Sequence, residues 1–195
     1  MKKLLFTAAA VFAFSFANAQ EESTDGGFSQ GDIYATGSLS ISSTKIGDVK
    51  ADGYSFSPGA GYFINDNIAL EAGLVVNKAT MEIEGDELEA KGFGGSLAAK
   101  YYFTPADKFS FFAGLGVGYL TQKVGNEETI DLNTFSVAVI PGVNYFLNDS
   151  FALQASLGGL GYSSSKFDVD GAESADTFAL GLNLTNVNFS LVYKF

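Results

Sequence analysis

The chain has 195 residues, of which 47% are hydrophobic and only 17% charged, a length that suits one domain and a charge density below the ~25% of an ordinary soluble domain. It contains no cysteine and no histidine, which excludes disulfides, nucleophile–base triads and the usual nitrogen and sulfur zinc sites. Its net charge is −11 and all 11 basic residues are lysines, so it lacks the basic face that binding to nucleic-acid phosphates needs.

Residues 1–19 read as a secretory signal peptide: Met1-Lys2-Lys3, an apolar run from Leu4 to Phe16, then Ala17-Asn18-Ala19 before Gln20. The run is too short to span a bilayer of ~30 Å. Residues 20–30 are polar and Gly-rich without periodicity, and are expected to be a flexible periplasmic lead-in.

From Gly31 onward the dominant period is two, the strand period. Eight strands are expected. The first spans about 31–43, with Ile33, Ala35, Gly37, Leu39 and Ile41 on one face. The second, about 53–64, carries Tyr54, Phe56, Pro58, Ala60 and Tyr62, and the third, about 67–78, carries Ile68, Leu70, Ala72, Leu74 and Val76. The fourth, about 91–103, carries Phe93, Gly95, Leu97, Ala99, Tyr101 and Phe103. The fifth, sixth and seventh follow at about 109–121, 133–146 and 150–163, and the eighth at about 175–195. In the eighth the apolar residues pass from even positions (Phe178, Leu180) to odd ones (Val187, Phe189), so a β-bulge is expected near Thr185–Asn186.

The face opposite the apolar one is mostly Gly, Ala, Ser and Thr, with Glu71, Lys100, Asn144, Gln154 and Lys194 among them. A soluble sandwich would set Lys and Glu densely on its solvated face. Small polar residues instead fit the crowded interior of an eight-strand barrel, with the apolar face turned to lipid. No apolar segment after Gln20 is long enough for a helical span, and only a closed barrel otherwise satisfies its backbone in lipid.

Three connections are short (65–67, 104–108, 148–150) and four are longer and acidic (44–52, 79–90, 122–132, 164–174), the alternation of periplasmic turns and exterior loops. The stretch 58–70 repeats at 141–153 without a gap, sharing Tyr-Phe-(Ile/Leu)-Asn-Asp, as hairpin repetition in an up-and-down barrel would. Aromatics are expected to form two girdles. Tyr62, Phe63, Tyr101, Phe103, Phe109, Tyr145, Phe151, Tyr193 and Phe195 would lie near the short turns, and Tyr54, Phe56, Phe93, Tyr119, Phe135 and Phe178 near the long loops.

Candidate sites are few. Glu71 and Lys100 fall on adjacent strands and the inner face, so an interior ion pair that helps plug the barrel is expected, because an isolated buried charge is costly. Gly114-x-Gly116-x-Gly118 lies within one strand and opens no helix, so it is no phosphate cradle. More than half of the acidic residues lie in the four long loops, and Asp168 and Asp170 there are possible divalent-cation contacts through oxygen ligands. No resident metal and no cofactor are expected.

The Ala-Asn-Ala-Gln signal end, the two Tyr-Phe-(Ile/Leu)-Asn-Asp turns and the ending Phe189-Ser-Leu-Val-Tyr-Lys-Phe195 resemble the small outer-membrane barrels of the OmpA/OmpX type, including the outer-membrane β-barrel domain proteins common in Bacteroidota. The resemblance covers about Gly31 to Phe195. It implies an eight-stranded antiparallel up-and-down transmembrane β-barrel in the cell outer membrane of a Gram-negative bacterium, with Phe189, Leu191, Tyr193 and Phe195 as the C-terminal signal read by the barrel-assembly machinery. Outer-membrane lipid and lipopolysaccharide are the expected surroundings, and a monomer is expected because a closed barrel has no free edge. The leading functional expectation is a structural or surface-interaction barrel without a wide channel and without enzymatic activity. A narrow porin-like pore is the alternative, and a soluble lipocalin-like binder a third.

Overall fold

The computed structural model describes residues 26–83, 86–126, 128–156, 158–182 and 187–195. The signal peptide, residues 20–25 of the lead-in and the bulge expected at Thr185–Asn186 lie outside the described residues.

Ten strand segments make up the wall: β1 (Ile33–Ile46), β2 (Val49–Phe63), β3 (Ile68–Ile83), β4 (Asp86–Tyr102), β5 (Phe109–Gly125), β6 (Thr129–Phe146), β7 (Phe151–Ser156), β8 (Gly158–Phe167), β9 (Ala175–Leu182) and β10 (Asn188–Lys194). β7 and β8 flank residue 157 and both pair with β6, so they form one pass of the chain; β9 and β10 form another, giving eight antiparallel passes. The sheet closes on itself. β1 pairs with β10 from Tyr34↔Lys194 to Gly37↔Leu191, and β5 with β6 from Phe109↔Tyr145 to Gly125↔Thr129. Beyond Gly37, among the described residues, β1 pairs only with β2, and β9 pairs only with β8. Leu39, Ile41, Phe178 and Leu180 on the two flanks of this seam are strongly exposed.

The period-two reading of the sequence is met by the side chains. Leu70, Leu74, Phe93, Leu97, Leu115, Val117, Tyr119 and Phe135 stand on the outside, while Tyr34, Phe63, Tyr102, Phe112, Phe146 and Val192 are buried inside. Phe63, expected in the aromatic girdle near the short turns, points inward. It belongs to the opposite phase from Tyr62, and the same holds for Phe146 against Tyr145 in the repeated segment. In both copies of that repeat the turn is held by an asparagine carbonyl: Asn65 Oδ1 accepts from the amides of Asn67 and Ile68 (2.9 and 2.8 Å), and Asn148 Oδ1 from those of Ser150 and Phe151 (3.0 and 2.8 Å).

Two expectations need correction. Three of the four long loops are continuations of the wall. β1 and β2 stay paired to Ile46↔Val49 across Gly47-Asp48, β3 and β4 to Ile83↔Asp86, and β5 and β6 to Gly125↔Thr129. Their apolar residues, such as Ile46, Val49, Met81, Leu88, Val124 and Ile130, fall in the phase opposite to the lipid-facing one, and beyond the lipid the outward face of a strand can be polar. Gly47 has φ 61°, the left-handed conformation that a two-residue hairpin turn requires. The second correction is an unexpected bulge: between Gly142↔Ser156 and Val139↔Leu160 the register of β6 against the neighbouring pass shifts by one residue, and the exposed apolar residues there change from odd (Leu153) to even (Leu160, Tyr162). Gly158 supplies the positive φ of 89° there. On the last pass the pairing of β9 ends at Leu182↔Gly158 and that of β10 begins at Asn188↔Ser156, and the exposed apolar residues are even-numbered in β9 (Phe178, Leu180) and odd-numbered in β10 (Phe189, Leu191).

Candidate functional site

The lumen is the candidate site, and its periplasmic half is filled. Five aromatic rings converge at the mouth: Phe28, Tyr34, Phe63, Tyr102 and Phe146, each 2% exposed or less. Phe28 lies at their centre, stacked on Phe63 (ring centroids 4.5 Å) and edge-on to Phe146 (4.8 Å) and Tyr102 (5.5 Å). It comes from the segment expected to be a flexible lead-in. Residues 26–30 are instead fastened to the barrel mouth. The Phe28 amide donates to the Pro105 carbonyl (2.7 Å), Lys194 Nζ donates to the Gly27 carbonyl (2.6 Å), and the Gln30 amide donates to Asp66 Oδ1 (3.3 Å). Gly27 has φ 151° and passes so close to Ala106 that a Cβ would stand 2.4 Å from its carbonyl oxygen, so only glycine fits. Nothing in the local periodicity of residues 20–30 marked Phe28. Its one signal was an isolated aromatic in a polar stretch.

Above the rings lies a polar layer. The structure brings Glu71 on β3 and Lys100 on β4 together: Lys100 Nζ donates to Glu71 Oε2 at 2.6 Å, with the two side chains only 13% and 17% exposed. Tyr34 Oη donates to the same carboxylate oxygen (2.9 Å). Lys100 also donates to Gln154 Oε1 (3.2 Å), and Gln154 Nε2 donates to the Tyr102 hydroxyl (2.7 Å). The ammonium stands 5.3 Å from the Phe112 ring centroid. Four passes of the wall therefore meet in one network across the lumen, which satisfies the buried charges from both sides. Glycines make the room. A Cβ on Gly61 would lie 2.1 Å from Tyr34 Cζ, and one on Gly142 would lie 2.4 Å from Phe112 Cζ. Gly114 lies beside Lys100, where a Cβ would meet its Cγ at 3.3 Å. Alternation places Gln154 on the inner face without naming its partners, and Tyr34 and Phe112 were not among the candidate residues. Their partnership joins strands distant in the chain, and no local pattern encodes it.

Above the network the lumen opens into a cavity of about 310 Å³ whose walls present the hydroxyls of Thr36, Ser57, Ser96, Ser136, Ser156 and Ser190. Asn144, fully buried beside Ser110 and Gln154 in the ladders, has neither amide atom hydrogen-bonded among the described residues.

The remaining candidates lie elsewhere. Phe189, Leu191, Tyr193 and Phe195 stand on the outside of the last pass, Tyr193 with its ring against Phe151 (4.9 Å) and Phe195 (5.0 Å). Asp168 and Asp170 are exposed in the loop after β8, where the Asp168 amide donates to the Asp131 carbonyl (2.8 Å). Among the described residues no three carboxylates gather as a metal site.

Comparison with known proteins agrees with this architecture. Residues 6–195 match the family described as "Outer membrane protein beta-barrel domain". No curated protein sequence matches the chain. Among solved structures, the outer membrane protein OprG from Pseudomonas aeruginosa is similar at 16% identity and a TM-score of 0.54, over 87% of this chain and 98% of that one. Neisserial surface protein A is similar at 17% identity and a TM-score of 0.52, over 90% and 100%. At these identities the likeness is one of fold. With an outside that is apolar, a polar lumen and a match over nearly its whole length, the chain belongs to the outer membrane protein beta-barrel domain family and is an outer-membrane β-barrel.

Proposed function

We propose that the protein serves as a plugged barrel with a structural or surface-interaction role, presenting its long acidic hairpins to the exterior, rather than as a channel or an enzyme. The observation that carries this reading is the two-layer closure of the lumen: the ring cluster around Phe28, and above it the Glu71–Lys100–Gln154 network. An eight-strand barrel has an interior just wide enough for side chains to fill, and here large side chains fill its periplasmic half. The lumen also offers no histidine or cysteine for covalent or general-base chemistry.

The narrow-pore reading draws on the cavity of about 310 Å³ above the network. Planar-bilayer recording separates the two. The expected result for the intact protein is silence at moderate voltage. Steady unitary openings from the wild-type chain would replace the plugged reading with the pore.

A further inference from the structure

On the outside of the barrel the ladder registers align a row of cations. Tyr54 on β2 faces Lys78 on β3, Lys78 faces Lys91 on β4, Lys91 faces Lys123 on β5, and Lys123 faces Asp131 on β6. All belong to the outward phase of their strands, because Val76, Phe93 and Tyr119 share their parity and are exposed. Like charges directly opposite across a ladder destabilise it. The carboxylates present relieve this in part. Glu89 bridges Lys78 and Lys91, and Asp131 holds Lys123 at 3.0 Å. Glu87 acts on Lys78 as well, so that lysine is well compensated, whereas Lys91 shares Glu89 with it and Lys123 has Asp131 alone. Lys91 and Lys123 remain 62% exposed.

Directly below this row runs a groove of about 740 Å³, walled by Tyr54, Leu74, Val76, Phe93 and Tyr119 and capped by Lys91 and Lys123. Its floor is Gly95, which sits between Leu74 and Tyr119 in the ladders where neighbouring outward positions carry large side chains. The site combines a cationic rim at the outer aromatic girdle with a smooth apolar slot descending toward the centre of the bilayer. An acyl chain fits the slot, and a phosphate at its head fits the rim. A free anion would gain nothing from the slot, and a plain hydrocarbon would gain nothing from the lysines.

We propose that this face binds one phosphate-bearing lipid of the outer leaflet, its phosphate on Lys91 and Lys123 and an acyl chain over Gly95. The inference rests on the outer-membrane orientation of the barrel and is independent of whether the lumen conducts.

The test is native mass spectrometry of the full folded chain in detergent, titrated with diphosphoryl lipid A. The wild type is expected to take up one saturable lipid, and dephosphorylated lipid A is expected to bind at least tenfold more weakly. Lys91→Gln/Lys123→Gln should weaken the adduct about tenfold. Gly95→Leu should weaken it about fivefold with every lysine intact, since a Cβ there meets nothing closer than 3.6 Å and the strand tolerates it. Lys50→Ala, at the hairpin tip, should change it less than twofold. Each variant is checked for heat-modifiable gel mobility, which reports the barrel separately from the lipid. Equal binding of the two wild-type ligands, no loss in either groove variant, or an equal loss in Lys50→Ala would overturn the proposal. The first and last of these would reduce the rim to general electrostatic attraction.

Discussion

Gly61 shows how the lumen is specified one residue at a time. Tyr34 lies across it to reach Glu71, so a methyl group at position 61 would occupy the place of the tyrosine ring. The carboxylate that Tyr34 meets is shared with Lys100, and neither charge has water enough to stand alone. Removing one partner of a buried pair costs about 3–5 kcal/mol, while replacing both by apolar residues of similar size can be near neutral. Lys100→Met should therefore lower the stability of the folded barrel by about 3 kcal/mol, and Glu71→Leu/Lys100→Met should recover at least half of that loss. Urea unfolding in micelles, followed by the gel-mobility shift, measures both. A single variant as stable as wild type would mean the pair contributes no closure energy. Alternation alone put Glu71 and Lys100 on adjacent strands facing inward, because parity is a local property of each strand. The hydrogen bonds from Tyr34 and to Gln154 depend on which passes become neighbours around the ring, and alternation within a strand does not carry that information.

At the scale of the element, the hairpins extend beyond the lipid band, and their ends are held by charge rather than by apolar packing. In the β3–β4 hairpin, Glu89 accepts from Lys78 and from Lys91, and these contacts hold its carboxyl below the ordinary glutamate range. A carboxyl depressed in the folded state contributes stability above its unfolded pKa and loses it as pH falls through the folded one. The hairpin end should therefore be equally ordered at pH 7 and pH 5, and should fray only below the usual carboxylate range. A carbon-detected NMR titration of the Glu89 carboxyl, with Ile83 and Leu88 as reporters of order, follows both events. A midpoint at or above the free-glutamate value would remove the lysine bridge from the account. These strand ends escaped the sequence reading because the apolar residues of 44–52, 79–90 and 122–132 (Ile46, Val49, Met81, Ile83, Leu88, Val124, Ile130) fall in the phase opposite to the lipid-facing one, and their acidic composition resembles that of loops. Residues 26–30 escaped for the opposite reason: a single phenylalanine supplies no period at all, yet it completes the ring cluster.

The whole molecule is defined by its closure, which joins the two ends of the chain. The eight passes could in principle form two stacked sheets, and what distinguishes the barrel is the ladder between the first strand and the last, Tyr34–Gly37 against Leu191–Lys194. Unpaired backbone in hydrocarbon costs several kcal/mol per group, so this short ladder is where the fold has most to lose. The apolar exterior and the small-residue lumen were legible from alternation. The seam was less so, because the apolar phase of the last pass changes along the sequence between positions 182 and 187. The chain contains no cysteine, so an engineered pair reports on the seam without competition. Gly37 and Leu191 are ladder partners on the outward face, and a Cβ on Gly37 meets nothing within 4 Å. Paired positions in an antiparallel ladder lie ~4.5–5.5 Å apart, within the span that a disulfide bridges. Gly37→Cys/Leu191→Cys, folded and then oxidised, should form an intramolecular disulfide in most molecules. After boiling in SDS the oxidised chain should run faster than the reduced one, because nearly its whole length stays looped. Each single-cysteine variant should show no such difference. If the double variant cross-links only between molecules or not at all, the first and last strands are not neighbours, and the barrel gives way to an open sheet whose edges would need another partner.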